Sequence, residues 1–214
     1  MKGFTMKLYL LSLPLLFLSL GCATSYSIAV NGYSATGQVV HIPDGASISV
    51  VTDSNVPNPI LEKEIAAKIK KLLAMQGYTT DANKPSYYLL FNYGIDAGRT
   101  VTDIVPIHHP GYYRPYPYSS TYWFGYTTYI PYSEVIHTRW LTLKLIDGQA
   151  YRASKSAEPV WIGEIASAGL SSDLRELMNY MLIAAFEHFA EDTQRQITEY
   201  ITKNDERVWL LTEP

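Results

Sequence analysis

Two segments of the chain have the periodicity of long amphipathic helices, and five have the alternation typical of strands. The first helical segment begins at Asn58-Pro59, a capping residue followed by a residue suited to the first turn, and ends near Gly77. The second is opened by Ser171-Ser172-Asp173 with Glu176, and its apolar stripe continues to about residue 202. Because a doubly wound parallel sheet needs more crossover helices, this order predicts an α+β fold, a largely antiparallel sheet with two helices packed on one face. The strand patterns cover residues 39–42, 46–51, 87–96, 135–147 and 160–168.

The composition is that of a folded domain with a sizeable core. Of the 214 residues, 47% are hydrophobic and only 17% are charged, which excludes a disordered chain. The formal net charge of -3 argues against a nucleic-acid partner, which an excess of basic side chains would favour. The single cysteine, Cys22, excludes an internal disulfide and a zinc site built from several cysteines.

The N-terminus has the pattern of an export signal. Two lysines, Lys2 and Lys7, precede the apolar run from Leu8 to Leu20, which is too short to span a bilayer. The run ends in Leu18-Ser19-Leu20-Gly21-Cys22, which resembles the signal of a bacterial lipoprotein. The resemblance implies cleavage after Gly21 and a lipid on Cys22, which would hold the protein on a membrane. In a Gram-negative host, Ala23 after the cysteine implies the outer membrane, with the protein facing the periplasm.

These signals divide the chain into four parts. Residues 1–21 form the signal peptide, and the small, polar residues 22–36 are expected to be a lipidated tether. Residues 37–203 form a single α+β domain with an insertion at about 97–134, and residues 204–214 form a C-terminal tail. The signal peptide carries lysines and no acidic residue, so its removal leaves a more acidic chain whose anchoring depends on the lipid.

A family resemblance rests on the lipoprotein signal and on four further segments. These are NPILEKEIAAKIKKLLAMQGY, YYLLFNY, LTLKLID and PVWIGEI, which begin at residues 58, 87, 141 and 159. Together they resemble a bacterial envelope lipoprotein family known as domain of unknown function 4136, over residues 38 to about 195. The resemblance implies an α+β domain with a lipid anchor, and it supplies no established activity.

The insertion contains a stretch rich in tyrosine and proline at residues 106–132, with eight tyrosines between Tyr112 and Tyr132. Proline disfavours a helix, so the stretch is either a long loop or a protruding hairpin, with residues 122–130 as its expected strand. One interpretation is a contact surface for an envelope protein, a glycan or a membrane interface. The other is that the tyrosines cover one end of the sheet and the prolines discourage edge-to-edge aggregation. The expected contact residues are Tyr112, Tyr113, Tyr116, Trp123 and Tyr126.

Signals for catalysis, metals and cofactors are weak. His108-His109 lacks a third ligand at a metal-binding spacing, and neither a G-x-S-x-G nor a phosphate-binding glycine motif occurs, so no metal or cofactor is expected. His137 and Arg139 are expected to be exposed near the start of their strand, although His137 could form an acid/base cluster with Asp96 or Glu164.

The sequence therefore predicts a non-catalytic, lipid-anchored envelope protein that acts by contact in envelope assembly or maintenance. Two alternatives stay open. One is an envelope hydrolase or ligand-processing enzyme that uses His137 with a carboxylate. The other is a small-ligand carrier, which would need a cavity between the helices and the sheet.

Overall fold

The structure is a computed structural model of the chain, and it describes residues 24–80, 82–110 and 125–212. Seven strands and four helices lie in this part of the chain. The strands are β1 (Ser25–Ser34), β2 (Ile48–Val51), β3 (Tyr87–Ile95), β4 (Arg99–His109), β5 (Tyr126–Asp147), β6 (Trp161–Gly169) and β7 (Ile197–Thr202). The helices are α1 (Pro59–Met75), α2 (Gly148–Ala153), α3 (Leu174–Glu187) and α4 (Glu206–Thr212).

The strands form one sheet in the order β2-β3-β5-β6-β1-β7, and β4 pairs with β5 off this path. Neighbouring strands are antiparallel except β2 and β3, which run parallel. The fold is therefore α+β with a mixed, mostly antiparallel and curled sheet, as the order of elements predicted in outline. The parallel pair was not predicted. It arises because α1 returns the chain to the end of the sheet at which β2 began.

The core lies between the sheet and the two long helices. From β5, Leu141, Leu143 and Leu145 point to this side and are fully buried. They meet apolar side chains of both helices, among them Ile65, Ile69 and Leu73 of α1 and Leu177, Met178 and Met181 of α3. Burying each of these large side chains contributes about 1.5–3 kcal/mol, so this layer is the main source of stability.

Both long helices begin where the sequence predicts. The side chain of Asn58 accepts a hydrogen bond of 3.1 Å from the N–H of Leu61, and Pro59 occupies the first turn. Gly77 follows α1 with a φ of 88°, which an L side chain rarely adopts. At the start of α3, the Asp173 carboxylate accepts hydrogen bonds of 2.9 and 3.1 Å from the N–H groups of Arg175 and Glu176.

The prediction of two helices on one face is incomplete. The short helix α2 packs on the opposite face, where the rings of Tyr151 and Tyr88 lie 4.4 Å apart. Tyr88 alternates with the buried Leu89, so its side chain points away from α1 and α3. Helix α4 occupies much of the predicted C-terminal tail and packs on α3, with Val208 and Leu211 buried.

The prediction that the last helix continues to about residue 202 is wrong. Helix α3 ends at Glu187, and a turn leads into β7, which supplies the apolar residues of the extended stripe. Ala190 in this turn has a φ of 65°, which is incompatible with a helix. The turn is held by distant partners: Thr193 accepts a hydrogen bond of 3.0 Å from Gly32, and Trp161 donates one of 2.8 Å to the carbonyl of Glu191.

Two other segments differ from the predictions. Residues 25–34, expected to be part of a tether, form β1 between β6 and β7, with Ile28 and Val30 buried. A strand was expected at 39–42, but Val40 and Ile42 lie in a loop. The backbone N–H of Val40 donates a hydrogen bond of 2.9 Å to the carbonyl of Ala190, so the loop is held by the turn after α3 rather than by the sheet.

Candidate functional site

The described part of the insertion is a protruding pair of antiparallel strands, which agrees with a hairpin, one of the two predicted forms. Its strands are β4 and the first half of β5, which pair along their length from Arg99 opposite Ile136 to His109 opposite Tyr126. We call these residues, 99–109 and 126–136, the β-arm. The same strand β5 pairs with β3 and β6 further along, so the arm extends the central strand of the sheet. The strands are longer than the predicted segment 122–130.

A β-bulge sets the base of the β-arm. Three residues, 96–98, separate Ile95 from Arg99 on one strand, and they oppose only residues 137–138 on β5. Gly98 has a φ of 82°, a conformation that favours glycine. Asp96 donates its backbone N–H to the carbonyl of Thr138 at 2.9 Å.

The Asp96 carboxylate fixes this bulge. It accepts hydrogen bonds from the backbone N–H groups of Thr138, at 2.8 Å, and Gly98, at 3.0 Å. These donors, Thr138 first, hold the pKa of the Asp96 carboxyl below its usual value. The charged Asp96 carboxylate therefore helps to fix the position of the arm.

The charges of the β-arm lie near its base. Arg99, Asp103 and Glu134 belong to the basal arm, which we define as residues 99–103 and 132–136. The distal arm, residues 104–109 and 126–131, contains no aspartate, glutamate, lysine or arginine. Six of its large apolar or aromatic side chains are between 39% and 68% exposed, namely Ile104, Val105, Ile107, Tyr126, Tyr129 and Ile130. The distal arm is thus an accessible surface rich in apolar and aromatic side chains, without acidic residues, lysine or arginine.

Both prolines of the distal arm face the free edges of the hairpin. The hydrogen bond between Asp96 and the carbonyl of Thr138 shows that the even-numbered residues of β5 point their N–H and C=O groups toward β4. Pro131, opposite Ile104, and Pro106, opposite Tyr129, therefore turn their nitrogens away from the partner strand. The hairpin loses no ladder bond, and each free edge lacks one donor.

Strand β1 begins beside the base of the β-arm. Ala29 of β1 and Trp140 of β5 both pair with Ala166 of β6, so the three residues form one row across the sheet. From this row, β1 runs back to Ser25 in the direction in which β5 leaves for the arm. Ser25 thus lies beside the arm's base, two strands or about 10 Å from β5.

The structure describes one of the six residues predicted for lipidation or contact. Tyr126 lies at the outer end of the described arm, is 63% exposed, and stacks on the ring of His109 with the centroids 4.5 Å apart. The remaining contact residues and the lipidation residue lie outside the described part of the chain: Tyr112, Tyr113, Tyr116, Trp123 and Cys22.

The residues considered for acid/base chemistry do not converge. His137 lies on the helix-covered side of β5, whereas Glu164, opposite Thr142, points to the other side. The hydrogen-bond contact between His137 and Asp96, at 3.4 Å, joins Nδ1 to the backbone carbonyl and not to the carboxylate. The predicted exposure of Arg139 is wrong, since this side chain is only 2% exposed.

Arg139 is buried because the curled sheet and the segment before α3 enclose it. Its Nη2 donates a hydrogen bond to the carbonyl of Ser171, and burial lowers the pKa of its guanidinium. His108 and His109 lie on opposite faces of β4, where they contact the hydroxyls of Thr127 at 2.8 Å and Thr128 at 2.9 Å. The two imidazoles therefore cannot share one metal ion.

A cluster around His188 was not expected from the sequence. The two ring nitrogens of His188 each lie 2.9 Å from a carboxylate oxygen, one of Glu191 and the other of Glu199. Although burial opposes it, these two carboxylates raise the pKa of His188 above its ordinary value. Ligand atoms of Glu187, His188 and Glu199 lie within 4.8 Å of one another, but Arg207 binds Glu187 at 2.6 Å. The cluster is an ion-pair network that joins the end of α3 to β7.

A groove of about 500 Å³ lies between α1, α3 and α4. Its charged groups are paired: Glu64 contacts Lys68 at 2.7 Å and Arg175 at 2.6 Å. Arg175 first, and Lys68 with it, lower the pKa of Glu64 to about 2. The groove is walled by helices, so it is not the cavity between helices and sheet that a carrier would need.

The family of the chain follows from its sequence. Residues 24–189 match DUF4136, a domain of unknown function. The chain belongs to this family. The match includes β1 and both long helices, and it also contains the whole β-arm. No curated protein matches the chain.

Solved structures resemble the DUF4136 chain only distantly. A PDZ domain protein from Parabacteroides distasonis is 15% identical, with a TM-score of 0.43 over 84% of this chain. The chain spans only 40% of the length of that protein. The PelC dodecamer from Paraburkholderia phytofirmans is 12% identical, with a TM-score of 0.39 over 73% of this chain and 93% of PelC. Among the described residues, no helix is long and apolar enough to cross a membrane.

Proposed function

We propose that this DUF4136 protein is a lipid-anchored, non-catalytic component of the bacterial cell envelope that acts by contact, in envelope assembly or maintenance. The lipid is attached to Cys22 after removal of residues 1–21, as the resemblance of this segment to lipoprotein signals implies. In a Gram-negative host, Ala23 favours the outer membrane, with the domain in the periplasm.

The exposed β-arm is the observation that carries this proposal. A two-stranded ribbon is marginally stable in water on its own, because it has no layer against which to bury its side chains. Here the described residues leave large apolar and aromatic side chains of the ribbon 59–68% exposed, among them Ile104, Tyr126 and Tyr129. Exposed apolar surface of this kind is typical of an interaction site. The arm is therefore the part of the domain built for contact.

The proposed contact surface continues beyond the described arm. The connecting residues 110–125 add Tyr112, Tyr113, Tyr116 and Trp123 to the exposed Tyr126. Tyrosine and tryptophan offer large contact areas at low cost in conformational entropy, and they carry much of the binding energy at interfaces. An envelope protein or a glycan is a suitable partner for such a surface, as is a membrane interface.

A non-catalytic role agrees with the arrangement of the polar residues. His137 and Glu164 point to opposite sides of the sheet, and the Asp96 carboxylate holds the bulge. The described residues thus bring no acid/base pair from this set into one concave site. This supports contact over the hydrolase alternative.

The test compares two tyrosines of equal accessibility, one on the distal arm and one on the edge strand β7. Tyr129 in the distal arm and Tyr200 in β7 are both 68% exposed. Each is replaced in cells by a photo-crosslinking amino acid in the full-length protein. We expect covalent adducts at Tyr129 and none above background at Tyr200, because only the arm is proposed to be covered. Equal yields at both positions would contradict the arm as the contact site.

The anchor is tested on the same preparations by intact mass spectrometry. We expect a chain that begins at Cys22 and carries acyl groups, and a Cys22→Ala variant that stays unprocessed or leaves the membrane. A wild-type protein with an unmodified N-terminus, or with its leader retained, would refute the lipoprotein part of the proposal while leaving the crosslinking result to decide the contact part.

A further inference from the structure

We infer that the distal arm contacts the lipid bilayer itself, at the interface between headgroups and acyl chains. This inference deepens the proposed function and rests on it, because the anchor at Cys22 places the membrane. Of the three partners named above, an envelope protein, a glycan and a membrane interface, it assigns the membrane interface to the arm.

The first step is the distance between the anchor and the arm. Only residues 23 and 24 separate Cys22 from Ser25, so even a fully extended chain spans no more than about 10 Å between them. Ser25 lies at the base of the β-arm, two strands from β5. A lipid on Cys22 therefore brings the bilayer close to the end of the sheet from which the arm leaves.

The second step is the length and direction of the arm. Strand β4 has 11 residues, which corresponds to about 35 Å at the usual rise of a strand. The arm leaves the sheet on the side of Ser25, and its length exceeds the reach of the tether. Its outer half therefore reaches the level of the membrane surface.

The third step is the gradient of polarity along the arm. The charged side chains Arg99, Asp103 and Glu134 lie in the basal arm, where water remains. The distal arm has no acidic residue, lysine or arginine and exposes isoleucine, valine and tyrosine side chains on both faces. Tyrosine is enriched where proteins meet the headgroup region, since its ring is apolar and its hydroxyl is polar. This gradient matches the change from water to lipid along the arm.

The fourth step concerns the free edges of the hairpin. Unpaired backbone groups are costly in an apolar medium, and a lone hairpin cannot cross the hydrocarbon core for this reason. Pro106 and Pro131 both lie in the distal arm and each removes an N–H group from a free edge. They reduce the cost of placing the arm at the interface, and they disfavour a partner that would add a strand to either edge.

The charged residues of the arm also predict which lipids it can contact. Within residues 99–109 and 126–136, the one strongly basic side chain, Arg99, lies at the base, so the described arm itself offers little attraction to anionic headgroups. Binding at the interface then depends on buried apolar area. We expect the contact to form with neutral vesicles as well as with anionic ones.

The test uses two matched positions on one strand and one face. Ile107 in the distal arm is 39% exposed and Val101 in the basal arm is 38% exposed. Ile107→Cys and Val101→Cys are made in the full-length protein, where the lipid occupies the native cysteine and the new thiol alone reacts. Each is labelled with an environment-sensitive fluorophore and reconstituted in phosphatidylcholine vesicles that contain spin-labelled lipid.

We expect severalfold stronger quenching at Ile107 than at Val101, in neutral vesicles and in vesicles with added phosphatidylglycerol. Ile130→Cys and Val135→Cys, at 49% and 46% exposure on β5, give a second pair with the same expected order. Weak and equal quenching at the two positions of each pair would overturn the inference. This holds also if the crosslinking experiment shows that a protein covers the arm.

The mass of the reconstituted protein separates this inference from the proposed function. Acylated protein without a quenching contrast refutes the lipid contact and leaves the anchored, contact-based function intact. Protein without acyl groups refutes the anchor. In that case the free Cys22 thiol is labelled as well, so the quenching is measured again in a Cys22→Ala background. A retained contrast there still supports lipid contact by the arm, and an absent contrast overturns it.

Discussion

The two halves of β5 are both rich in β-forming residues, but they lie in opposite environments. In the half that belongs to the sheet, Leu141, Leu143 and Leu145 are fully buried. In the half that belongs to the arm, Tyr126, Tyr129 and Ile130 are between 49% and 68% exposed. The same kind of β-forming, apolar sequence thus stabilises the fold in one half and forms an accessible surface in the other.

The difference comes from the neighbours of each half. The sheet half is paired on both edges, with β3 and with β6, and it lies under α1 and α3. The arm half is paired with β4 alone, and no described helix lies over it. Apolar residues that do not contribute to the core of their own domain are expected to serve a different purpose, and here we propose contact.

The largest effect is expected for truncation of a buried side chain in the sheet half. Leu143→Ala should lower the free energy of unfolding by about 2–5 kcal/mol, because it removes buried apolar area and leaves a cavity. The matched arm variant Ile130→Ala should change it by no more than about 0.5 kcal/mol, as is usual for exposed sites. Urea denaturation of both variants measures the difference. A loss of similar size for Ile130→Ala would show that the arm belongs to the cooperative core.

A smaller, pH-dependent effect is expected at His188, which stabilises the sheet region and not the arm. Because Glu191 and Glu199 raise its pKa in the folded state, the protonated ring stabilises the fold. This contribution is complete below the unfolded pKa of about 6.5 and disappears as the pH rises through the higher folded value. His188→Gln should therefore remove a decrease in stability that the wild type shows on going from acidic to alkaline pH.

Urea denaturation over a pH series checks this prediction, with Glu199→Gln as the companion variant. Removing one of the two carboxylates should reduce the same pH-dependent contribution. The remaining charged pair of the cluster, Glu187 with Arg207, is left in place in both variants. A wild-type protein that became more stable as the pH rose through this range would contradict the sign of the prediction.

Local signals in the sequence predicted a large part of the fold. The capping residues Asn58 and Asp173 and the stop at Gly77 are confirmed, because such signals act within a few residues of the chain. The strand expected at residues 87–96 is also confirmed, as β3, since alternation directly reports which side chains share a face.

The remaining elements depend on contacts between distant parts of the chain. Residues 25–34 read as a polar tether, because only two of their side chains, Ile28 and Val30, are fully buried by distant partners. The sequence prediction continues helix α3 into β7, because the apolar residues beyond Glu187 continue the apolar stripe of the helix. The turn that separates them is fixed by Gly32 and Trp161, which are far away in sequence.

The candidate site was predicted in kind but not in shape. Tyrosines and prolines indicated a loop or a hairpin with a strand at residues 122–130, but they did not indicate β4. Only the register of β4 on β5 shows that the nitrogen of Pro106 faces a free edge. Strand pairing also determines the bulge at Asp96–Gly98 and places Ser25 beside the base of the arm. A single sequence does not reveal this pairing.

The separation of the two regions is tested most directly by removing the arm. Residues 100–135 are replaced by Asn-Gly, a turn suited to joining the paired residues Arg99 and Ile136. The account predicts a folded domain whose free energy of unfolding, measured with urea, lies within about 1 kcal/mol of the wild-type value, as for other changes outside the core. A fall of several kcal/mol, or the loss of a cooperative transition, would contradict it.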